Sequence, residues 1–327
     1  MTLSSTQSPL IEQWNGSSWS IVQATAASTA SELIGVSCTS VTFCMASGEI
    51  GSSTAAPYVE QWNGSTWTAT TLGVPNGVGS ALLFAVSCSA PTFCMAVGYG
   101  GAAVAVGDQW NGSSWTATSF PSPTDAEVLF SVSCAGVSFC AASGFDATSG
   151  ANLVLTWNAG SWAQATVPNP SGGGFLYGIS CFSATSCAAV GAAGPSLDNA
   201  QVVTYNGQTW TQATVPAAPA GATETNVSGV DCVTDWACVA VGVTSNGSGS
   251  LPYDISAPIA RSGYQFVASD GGFFNYGSVF LGSMGGQPLN APMVGMADMP
   301  AGDGYYEVAS DGGVFNYGSA QFYGSTG

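Results

Sequence analysis

The chain carries few side chains able to do covalent or acid–base chemistry. It has no His and no Lys, and Arg261 is its single basic residue, whereas Asp and Glu together number 18. A Ser-His-Asp triad, a Cys-His pair and a Schiff-base lysine each need a residue type that this sequence lacks. Carboxylate chemistry remains, as in glycoside hydrolases, where one carboxyl acts as acid and another as base or nucleophile.

The carboxylates fall into repeated positions and scattered ones. Glu12, Glu60 and Asp108 each lie two residues before an aromatic residue of a repeat, which favours a structural or solvent-facing role. Asp270 and Asp311 are repeat-equivalent, and the Ser-Asp-Gly-Gly around each of them predicts a turn. The scattered acids are Glu32, Glu49, Asp125, Glu127, Asp146, Asp198, Glu224, Asp231, Asp235 and Asp254. No pair stands out, so we predict no catalytic residue, and without an EF-hand loop we predict no metal or cofactor.

The net charge restricts the partners that the protein can bind. At −17 the chain lacks the basic groups that bind phosphate, which argues against nucleic acid and anionic membrane as partners. Its 46% of hydrophobic residues and 11% of aromatic residues are ample for a folded core. No run of 18 apolar residues predicts membrane insertion, and the first residues lack the basic and apolar regions of a signal peptide.

The ten Cys form five pairs of the spacing C-x5-C, one pair in each repeat. The pairs are Cys38 with Cys44, Cys88 with Cys94, Cys134 with Cys140, Cys181 with Cys187, and Cys232 with Cys238. Zinc needs four ligands, and one pair supplies only two in a sequence without His. We favour five local disulfides, which indicate an oxidising, extracellular location, over buried free thiols in a cytosolic protein.

Ten aromatic residues recur at a fixed period and mark the structural unit. They form pairs around a turn, as in Trp-Asn-Gly-Ser-Thr-Trp at 62–67, and the pairs begin 47 or 48 residues apart. The ten are Trp14, Trp19, Trp62, Trp67, Trp110, Trp115, Trp157, Trp162, Tyr205 and Trp210. A period of this size is typical of a solenoid, a propeller or another repeat array.

Each full repeat predicts four short strands. The Cys pair flanks the turn of a first hairpin, and Asn63-Gly64 is the turn signal of a second one. Four strands in 47 or 48 residues match one propeller blade. The hairpin at 10–22 lacks a Cys pair, and the Cys hairpin at about 228–242 lacks an aromatic hairpin. Together they predict a composite blade that closes an all-β propeller of five four-stranded blades.

The sequence beyond the fifth Cys pair carries a different repeat, without Cys. The stretch at 263–272 recurs in similar form at 304–313, 41 residues later. We divide the chain into a polar tail over 1–9, a β-propeller over 10–242, a linker over 243–255 and two blade-like β repeats over 256–327. Two such units are rarely self-sufficient, so we expect a monomer or part of a longer chain. The alternative is one ring of about seven blades that includes the C-terminal pair.

Two motifs resemble a known group of proteins. The Val-Ser-Cys-x5-Cys at 36–44 followed by Gln-Trp-Asn-Gly-x2-Trp at 61–67 resembles repeats in large uncharacterised secreted proteins of actinobacteria. The Val-Ala-Ser-Asp-Gly-Gly at 308–313 with Phe-Tyr-Gly-Ser at 322–325 resembles a second repeat of the same proteins. The resemblance implies a β-propeller-like fold and an extracellular or cell-surface location. It transfers no functional residues, because the activity of those proteins is not established.

The repeat aromatics have two interpretations. They are either stacking platforms for sugars or core residues that pack between blades, and we favour the core. Tyr99, Phe145, Asp146 and Tyr177, which we place at loop tips, are better binding candidates, since function resides on variable loops.

We favour a non-catalytic function, binding or display outside the cell or at its surface, with a glycan or a protein as ligand. The second hypothesis is a carboxylate-dependent glycoside hydrolase or lyase, which needs two acids about 5–10 Å apart. The third is a passive spacer that presents another domain. Fold class alone does not separate the three, because one fold supports many functions.

Overall fold

The computed structural model describes residues 7–326 with the exception of 23, 26–29, 52–53, 122–125, 159, 217, 219, 235–236, 247–249, 259–263, 277–279 and 300–303. Every regular element in this part of the chain is a β-strand. Within the same residues, no helix is long and apolar enough to span a membrane. The chain divides into two compact units, Met1–Cys232 with Val239–Ile255, and Val233–Cys238 with Ser256–Gly327.

The first unit begins with a hairpin, which four sheets of four strands follow. The hairpin is β1 (Ile11–Trp14) and β2 (Trp19–Val22). The first sheet is β3 (Ser31–Ser40), β4 (Phe43–Ile50), β5 (Ala56–Trp62) and β6 (Trp67–Thr71). The second is β7 (Ala81–Ala90), β8 (Phe93–Gly100), β9 (Val104–Trp110) and β10 (Trp115–Ala117). The third is β11 (Glu127–Gly136), β12 (Phe139–Asp146), β13 (Ala151–Asn158) and β14 (Ser161–Gln164). The fourth is β15 (Gly174–Ser183), β16 (Ser186–Ala193), β17 (Asn199–Tyr205) and β18 (Trp210–Gln212).

All four sheets are antiparallel meanders, in which each strand pairs with its neighbour in the chain. The predicted all-β class with four-stranded, propeller-type blades is confirmed. The Cys pair lies in direct register across the first hairpin of each sheet, as at Cys134 and Cys140, whose Cα atoms are 4.0 Å apart. Disulfides join all five predicted pairs. Each closes a short loop and stabilises the fold by about 2 kcal/mol in the chain-entropy model.

The fifth sheet differs from the prediction. It contains β19 (Glu224–Cys232), β20 (Ala237–Ser245) and β21 (Ser250–Pro258), and β21 lies largely in the interval 243–255 that we predicted as a linker. Because β20 pairs with β21, and β1 with β2, the described strands do not form the composite closing blade. The reason is local. Apolar residues at 251, 253 and 255 alternate at the period of a strand, and a hairpin of neighbouring strands costs less chain entropy than pairing with β1.

Consecutive sheets pack through two different faces. We call the face with the Cys pair the disulfide face, and the opposite face, which holds the residue just before the first Cys, the serine face. In the first interface, Phe43, Met45 and Val59 on the serine face of the first sheet pack against Leu83 and Val86 on the disulfide face of the second. The next two interfaces repeat this arrangement. Alternate residues of a strand share a face, so the period of two decides which residues enter each core.

One hydrogen bond recurs at every interface between sheets. The Ser before the first Cys accepts a hydrogen bond from the backbone N–H of the first Cys of the next sheet. The pairs are Ser37 with Cys88, Ser87 with Cys134 and Ser133 with Cys181, each at 2.9 Å, and Ser180 with Cys232 at 3.1 Å. This bond sets the register of neighbouring sheets, and it gives the Ser-Cys motif a role that the sequence analysis missed.

The aromatic pairs lie opposite each other across the second hairpin of each repeat. Trp62 and Trp67 are register partners, with ring centroids 5.6 Å apart. Only the Gly of the predicted Asn-Gly turn takes a positive φ, +96° at Gly64. Asn63 acts through its side chain, which accepts hydrogen bonds from the backbone N–H groups of Ser65 and Thr66 at 2.9 Å.

The second unit contains a two-stranded and a three-stranded sheet. The first is β22 (Tyr264–Val267) with β23 (Phe273–Tyr276), and the second is β24 (Met293–Asp298), β25 (Gly304–Ala309) and β26 (Val314–Gly318). The carboxylates of Asp270 and Asp311 each accept a hydrogen bond, at 3.0 Å, from the backbone N–H of the Gly two residues later. Both acids therefore have the turn role that their sequence context predicts.

Candidate functional site

The first strand of each of the first four sheets contains a β-bulge, which leaves one residue without a partner on the second strand. In β11, Leu129 pairs with Gly144 and Ser131 pairs with Ser143, so Phe130 between them has no partner. The same bulge places Phe84 in β7 and Tyr177 in β15. A β-bulge bends its strand and redirects a side chain. The fold thus presents one large side chain at the same position in three consecutive sheets.

A glycine on the second strand makes each bulge possible. A Cβ atom on Gly144 would lie 1.8 Å from the carbonyl oxygen of Val128, far inside van der Waals contact. Equivalent glycines, four residues after the second Cys, are Gly48, Gly98, Gly191 and Gly242, and their Cβ atoms would lie 1.8–2.1 Å from a backbone oxygen. This regular Gly was a signal in the sequence that would have located the bulge.

The bulge residues join other rings into a continuous cluster, which we call the aromatic ladder. It consists of Phe84, Tyr99, Phe130, Phe145, Phe175 and Tyr177. All six side chains are half-buried. They belong to the second, third and fourth sheets, so the ladder crosses two interfaces between sheets.

Phe130 is the centre of the ladder. Its ring centroid lies 5.6 Å from that of Phe84, 5.8 Å from that of Phe145 and 5.5 Å from that of Tyr177. Phe145 in turn stacks on Phe175 at 3.8 Å. Offset and edge-to-face pairs of this kind contribute about 0.5–1.5 kcal/mol each beyond burial. The rings hold one another in place and keep part of their surface exposed to solvent.

The structure brings together three of the four predicted binding residues. Tyr99, Phe145 and Tyr177 all belong to the ladder, but they lie in strands and not at loop tips, because the hairpins of the first and second strands are longer than predicted. Asp146 is different. Its carboxylate accepts hydrogen bonds from the backbone N–H of Thr148 at 2.7 Å and from the hydroxyl of Ser149 at 2.7 Å, which lower its pKa. Asp146 thus caps its own turn.

A carboxylate lies near one end of the ladder. Burial raises the pKa of Tyr177, and the nearby negative charge of Glu224 raises it further. In the first sheet, Glu32 and Glu49 are register partners and occupy the positions that Leu82 and Tyr99 hold in the second sheet. One acidic group, Glu224, therefore lies near the ladder at Tyr177.

Strand register sets two pairs of the scattered acids opposite each other, Glu127 with Asp146 and Glu32 with Glu49. Glu127 is only 3% exposed, and the Asp146 carboxylate is bonded within its own turn. Glu49 is only 2% exposed, and burial, with a contribution from Glu32, raises its pKa. Glu32 is half-buried. Because Glu127 and Glu49 are both buried, neither pair offers a substrate two accessible carboxylates, which the hydrolase hypothesis requires.

The repeated acids before the aromatic pairs have three different surroundings. Glu60 is buried and accepts hydrogen bonds from the Tyr58 hydroxyl at 2.6 Å and from the Thr25 backbone N–H at 3.0 Å. Asp108 is buried in the second sheet, where desolvation raises its pKa to about 6. Glu12 is exposed and lines a groove at the first sheet. Their common position makes them structural, and none joins the aromatic ladder.

A second aromatic surface lies at the start of the array. The β1–β2 hairpin and the disulfide face of the first sheet enclose a groove of about 530 Å³, which we call the tryptophan groove. Trp14, Trp19, Trp62 and Trp67 line it, together with Val36. Trp14 is 48% and Trp19 66% exposed, so the prediction of core aromatics is wrong for this pair. The physical reason is that, among the described residues, no four-stranded sheet packs on these two rings.

The other repeat aromatics lie in the cores. Five of them are buried, namely Trp62, Trp110, Trp157, Trp162 and Trp210. The other three, Trp67, Trp115 and Tyr205, are half-buried. In each case the serine face of the preceding sheet, or the β1–β2 hairpin, covers them. Within the described residues, no group of three or more His, Cys, Asp or Glu side chains is placed to hold a metal ion.

Comparison with solved structures finds chains of low sequence identity. YCF48 bound to a D1 peptide matches with a TM-score of 0.46 and 11% identity, over 97% of this chain and 86% of that one. SapL1 lectin in complex with alpha methyl fucoside matches with a TM-score of 0.48 and 10% identity, over 79% and 99%. The six-bladed β-propeller lectin of Aleuria aurantia matches with a TM-score of 0.43 and 13% identity, over 90% and 97%. No protein-family model and no curated protein matches the chain.

Proposed function

We propose that the protein is a non-catalytic, extracellular binding scaffold and that its aromatic ladder binds a glycan. One observation carries the proposal, the continuous set of six half-buried rings that three consecutive sheets contribute. A half-buried aromatic cluster held by neighbouring rings is rigid before binding, so little conformational entropy is lost when a ligand stacks on it.

The chemistry of a sugar fits this surface. One face of a pyranose ring carries mainly C–H groups and stacks on an aromatic ring, while its hydroxyl groups point outward as hydrogen-bond donors. Glu224, near Tyr177 at one end of the ladder, is an acceptor suited to such hydroxyls. A row of several rings further fits a chain of sugars better than a single one.

The charge of the protein narrows the class of glycan. With a net charge of −17, the protein repels uronic acids and sulfated sugars. Neutral polysaccharides and those with amino groups remain. The five disulfides further support an extracellular location, because disulfides persist in oxidising compartments.

The test is retention of the purified protein on insoluble and immobilised polysaccharides. The panel contains a neutral β-glucan, chitin, chitosan and polygalacturonate, and the same reactions are read for release of reducing ends. We expect retention on a neutral or amino-sugar polymer and none on polygalacturonate. Absence of retention on every member would contradict the proposal, and release of reducing ends that Glu32→Gln abolishes would replace binding by hydrolysis.

A variant pair connects retention to the ladder. Phe130→Ala removes the central ring, and we expect at least about tenfold weaker retention, since truncation of a central aromatic contact typically costs 2 kcal/mol or more. The matched control is Phe182→Ala, which removes an exposed ring of the fourth sheet that lies outside the ladder. Equal affinity of the two variants, both shown to be folded by circular dichroism, would place the binding site elsewhere.

A further inference from the structure

The tryptophan groove brings together the aromatic pairs of two repeats. Trp14 and Trp19 are register partners in the β1–β2 hairpin, and Trp62 and Trp67 are register partners in the first sheet. All four line the groove, whose volume of about 530 Å³ lies in the range typical of small-ligand sites. In the second sheet the equivalent Trp110 belongs to a hydrophobic core. The groove therefore offers a small molecule an indole surface that a later repeat buries.

The rings of the groove are held in place by the protein itself. The Nε1–H of Trp62 donates a hydrogen bond to the backbone carbonyl of Val41 at 3.0 Å. The ring centroids of Trp14 and Trp19 lie 5.7 Å apart, the same separation as in the pair of the second sheet. Asn15 closes the turn between them, because its side-chain oxygen accepts two backbone N–H groups at 2.9 Å. The aromatic surface is thus formed before a ligand binds.

A carboxylate lies beside this aromatic surface. Glu12 and Trp14 are two residues apart in β1, so their side chains share one face of the hairpin, and both line the groove. Glu60, at the same repeat position, is buried and hydrogen-bonded within the fold, whereas Glu12 is exposed. Glu12 is also the one charged residue among the described residues that line the groove. Its carboxylate is therefore accessible to a ligand.

Indole faces and a carboxylate both attract positive charge. The face of an aromatic ring carries negative potential, and among the aromatic side chains Trp attracts a cation most strongly. An ammonium nitrogen that carries methyl groups holds water weakly, so its transfer into the groove costs little hydration. Its methyl groups also gain apolar contact with the rings and with Val36 and Val41, which line the groove. A neutral apolar molecule gains only the apolar contact.

We propose that the tryptophan groove binds a small organic cation with a methylated ammonium group, held over Trp14 and Trp19 and beside Glu12. The net charge of −17 raises the concentration of cations at the protein surface and lowers that of anions. The ligand is for that reason a free cation and not one joined to a phosphate, as in a phospholipid head group. The groove shares no residue with the aromatic ladder, so this binding does not depend on glycan binding.

The first test compares choline with neohexanol, its uncharged analogue, in which a carbon atom replaces the ammonium nitrogen. Choline, neohexanol and phosphocholine are each titrated into the full chain by calorimetry, with sodium chloride keeping the ionic strength constant. We expect saturable binding of choline, at least about tenfold tighter than that of neohexanol and tighter than that of phosphocholine. Equal affinity for choline and neohexanol would overturn the proposal, and so would tighter binding of phosphocholine or no saturable binding of choline.

Two variants and a control assign the binding to the groove. Trp19→Ala removes the more exposed ring of its pair, and we expect at least about fivefold weaker binding of choline. Glu12→Gln removes the carboxylate and keeps the shape of the side chain, and we expect about threefold weaker binding at low salt. This second effect should shrink as the salt concentration rises, because Glu12 is exposed.

Asp231→Asn is the matched control for charge. It removes one negative charge from an exposed position of the fifth sheet, and it should bind choline as the wild type does. Circular dichroism shows whether each variant is folded. Wild-type affinity in a folded Trp19→Ala protein would place the cation elsewhere and overturn the proposal. Equal losses in Glu12→Gln and Asp231→Asn would contradict the placement of the cation beside Glu12.

Discussion

The same position of the repeat is buried in the interior of the array and exposed in the β1–β2 hairpin at its N-terminal end. In the third sheet, Trp162 is buried against Phe120 of the preceding repeat, with ring centroids 5.7 Å apart. In the β1–β2 hairpin, Trp19 holds the same repeat position and is mostly exposed. The repeat thus decides which face carries a side chain, but the neighbouring sheet decides whether that side chain is core or surface.

The same contrast separates the two aromatic surfaces. The aromatic ladder needs three sheets in sequence, because its rings contact each other across the interfaces between sheets. The tryptophan groove forms where a two-stranded hairpin, and not a four-stranded sheet, packs on the disulfide face of the first sheet within the described residues. The aromatic ladder thus depends on the regular packing of sheets, and the tryptophan groove depends on a departure from that packing.

The largest effect on the interior is expected at Gly144. A Cβ atom there meets the carbonyl oxygen of Val128 at 1.8 Å, so Gly144→Ala must break the bulge that presents Phe130. We expect a loss of more than about 4 kcal/mol in the free energy of unfolding, measured by denaturant titration. The control is Gly136→Ala on the same pair of strands, where the new Cβ atom meets no atom within 4 Å. A Gly144→Ala protein as stable as this control would show that the bulge is not needed.

Truncation of equivalent Trp residues tests the contrast directly. Trp162→Ala leaves a cavity in the core of the second and third sheets, and we expect a loss of about 3 kcal/mol. Trp19→Ala removes a mostly exposed ring at the same repeat position and should cost less than about 1 kcal/mol. Both values come from thermal and denaturant unfolding. Equal losses would mean that the tryptophan groove is as well packed as the interior.

The pH dependence of stability distinguishes the equivalent acids. Because burial raises the pKa of Asp108 to about 6, its ionised form destabilises the folded state. The carboxyl is protonated in both states below its ordinary pKa of 3.8, so the destabilisation grows from there up to about pH 6 and is constant above. Asp108→Asn should therefore stabilise the protein by about 2–3 kcal/mol at pH 7.5 and by almost nothing at pH 3.5.

The equivalent residue at the first end provides the control. Glu60 accepts two hydrogen bonds through its carboxylate, so Glu60→Gln should lower stability at pH 7.5. Unfolding curves of both variants at pH 3.5 and 7.5 test the assignment. A stabilisation by Asp108→Asn that is the same at both pH values would contradict the buried, ionisable state of Asp108.

The sequence was a good guide to contacts that are close along the chain. The C-x5-C spacing predicted disulfides such as Cys134–Cys140, and the Trp-to-Trp spacing placed Trp62 opposite Trp67. It was a poor guide where distant segments compete for one strand edge. β20 pairs with the adjacent β21 and not with β1, so the predicted composite blade and the linker at 243–255 were wrong in these details.

The candidate site shows the same division. The sequence analysis singled out Tyr99, Phe145 and Tyr177 but treated them as separate loop residues. It missed Phe84 and Phe130, which lie in strands and whose role depends on the bulge. The sequence did contain a regular local signal, the Gly four residues after each second Cys. That Gly would have pointed to the bulge and to these two residues.

By itself, the sequence determined the all-β class, the repeat unit, the disulfides and the alternation of side chains between two faces. These follow from interactions within one hairpin, where a short loop brings the partners together at little cost in chain entropy. Only the tertiary structure decided that Phe84, Phe130 and Tyr177 meet in one ladder and that Trp14 and Trp19 remain exposed. Those outcomes depend on how whole sheets pack on one another, and residues about 47 positions apart carry no local signal of that contact.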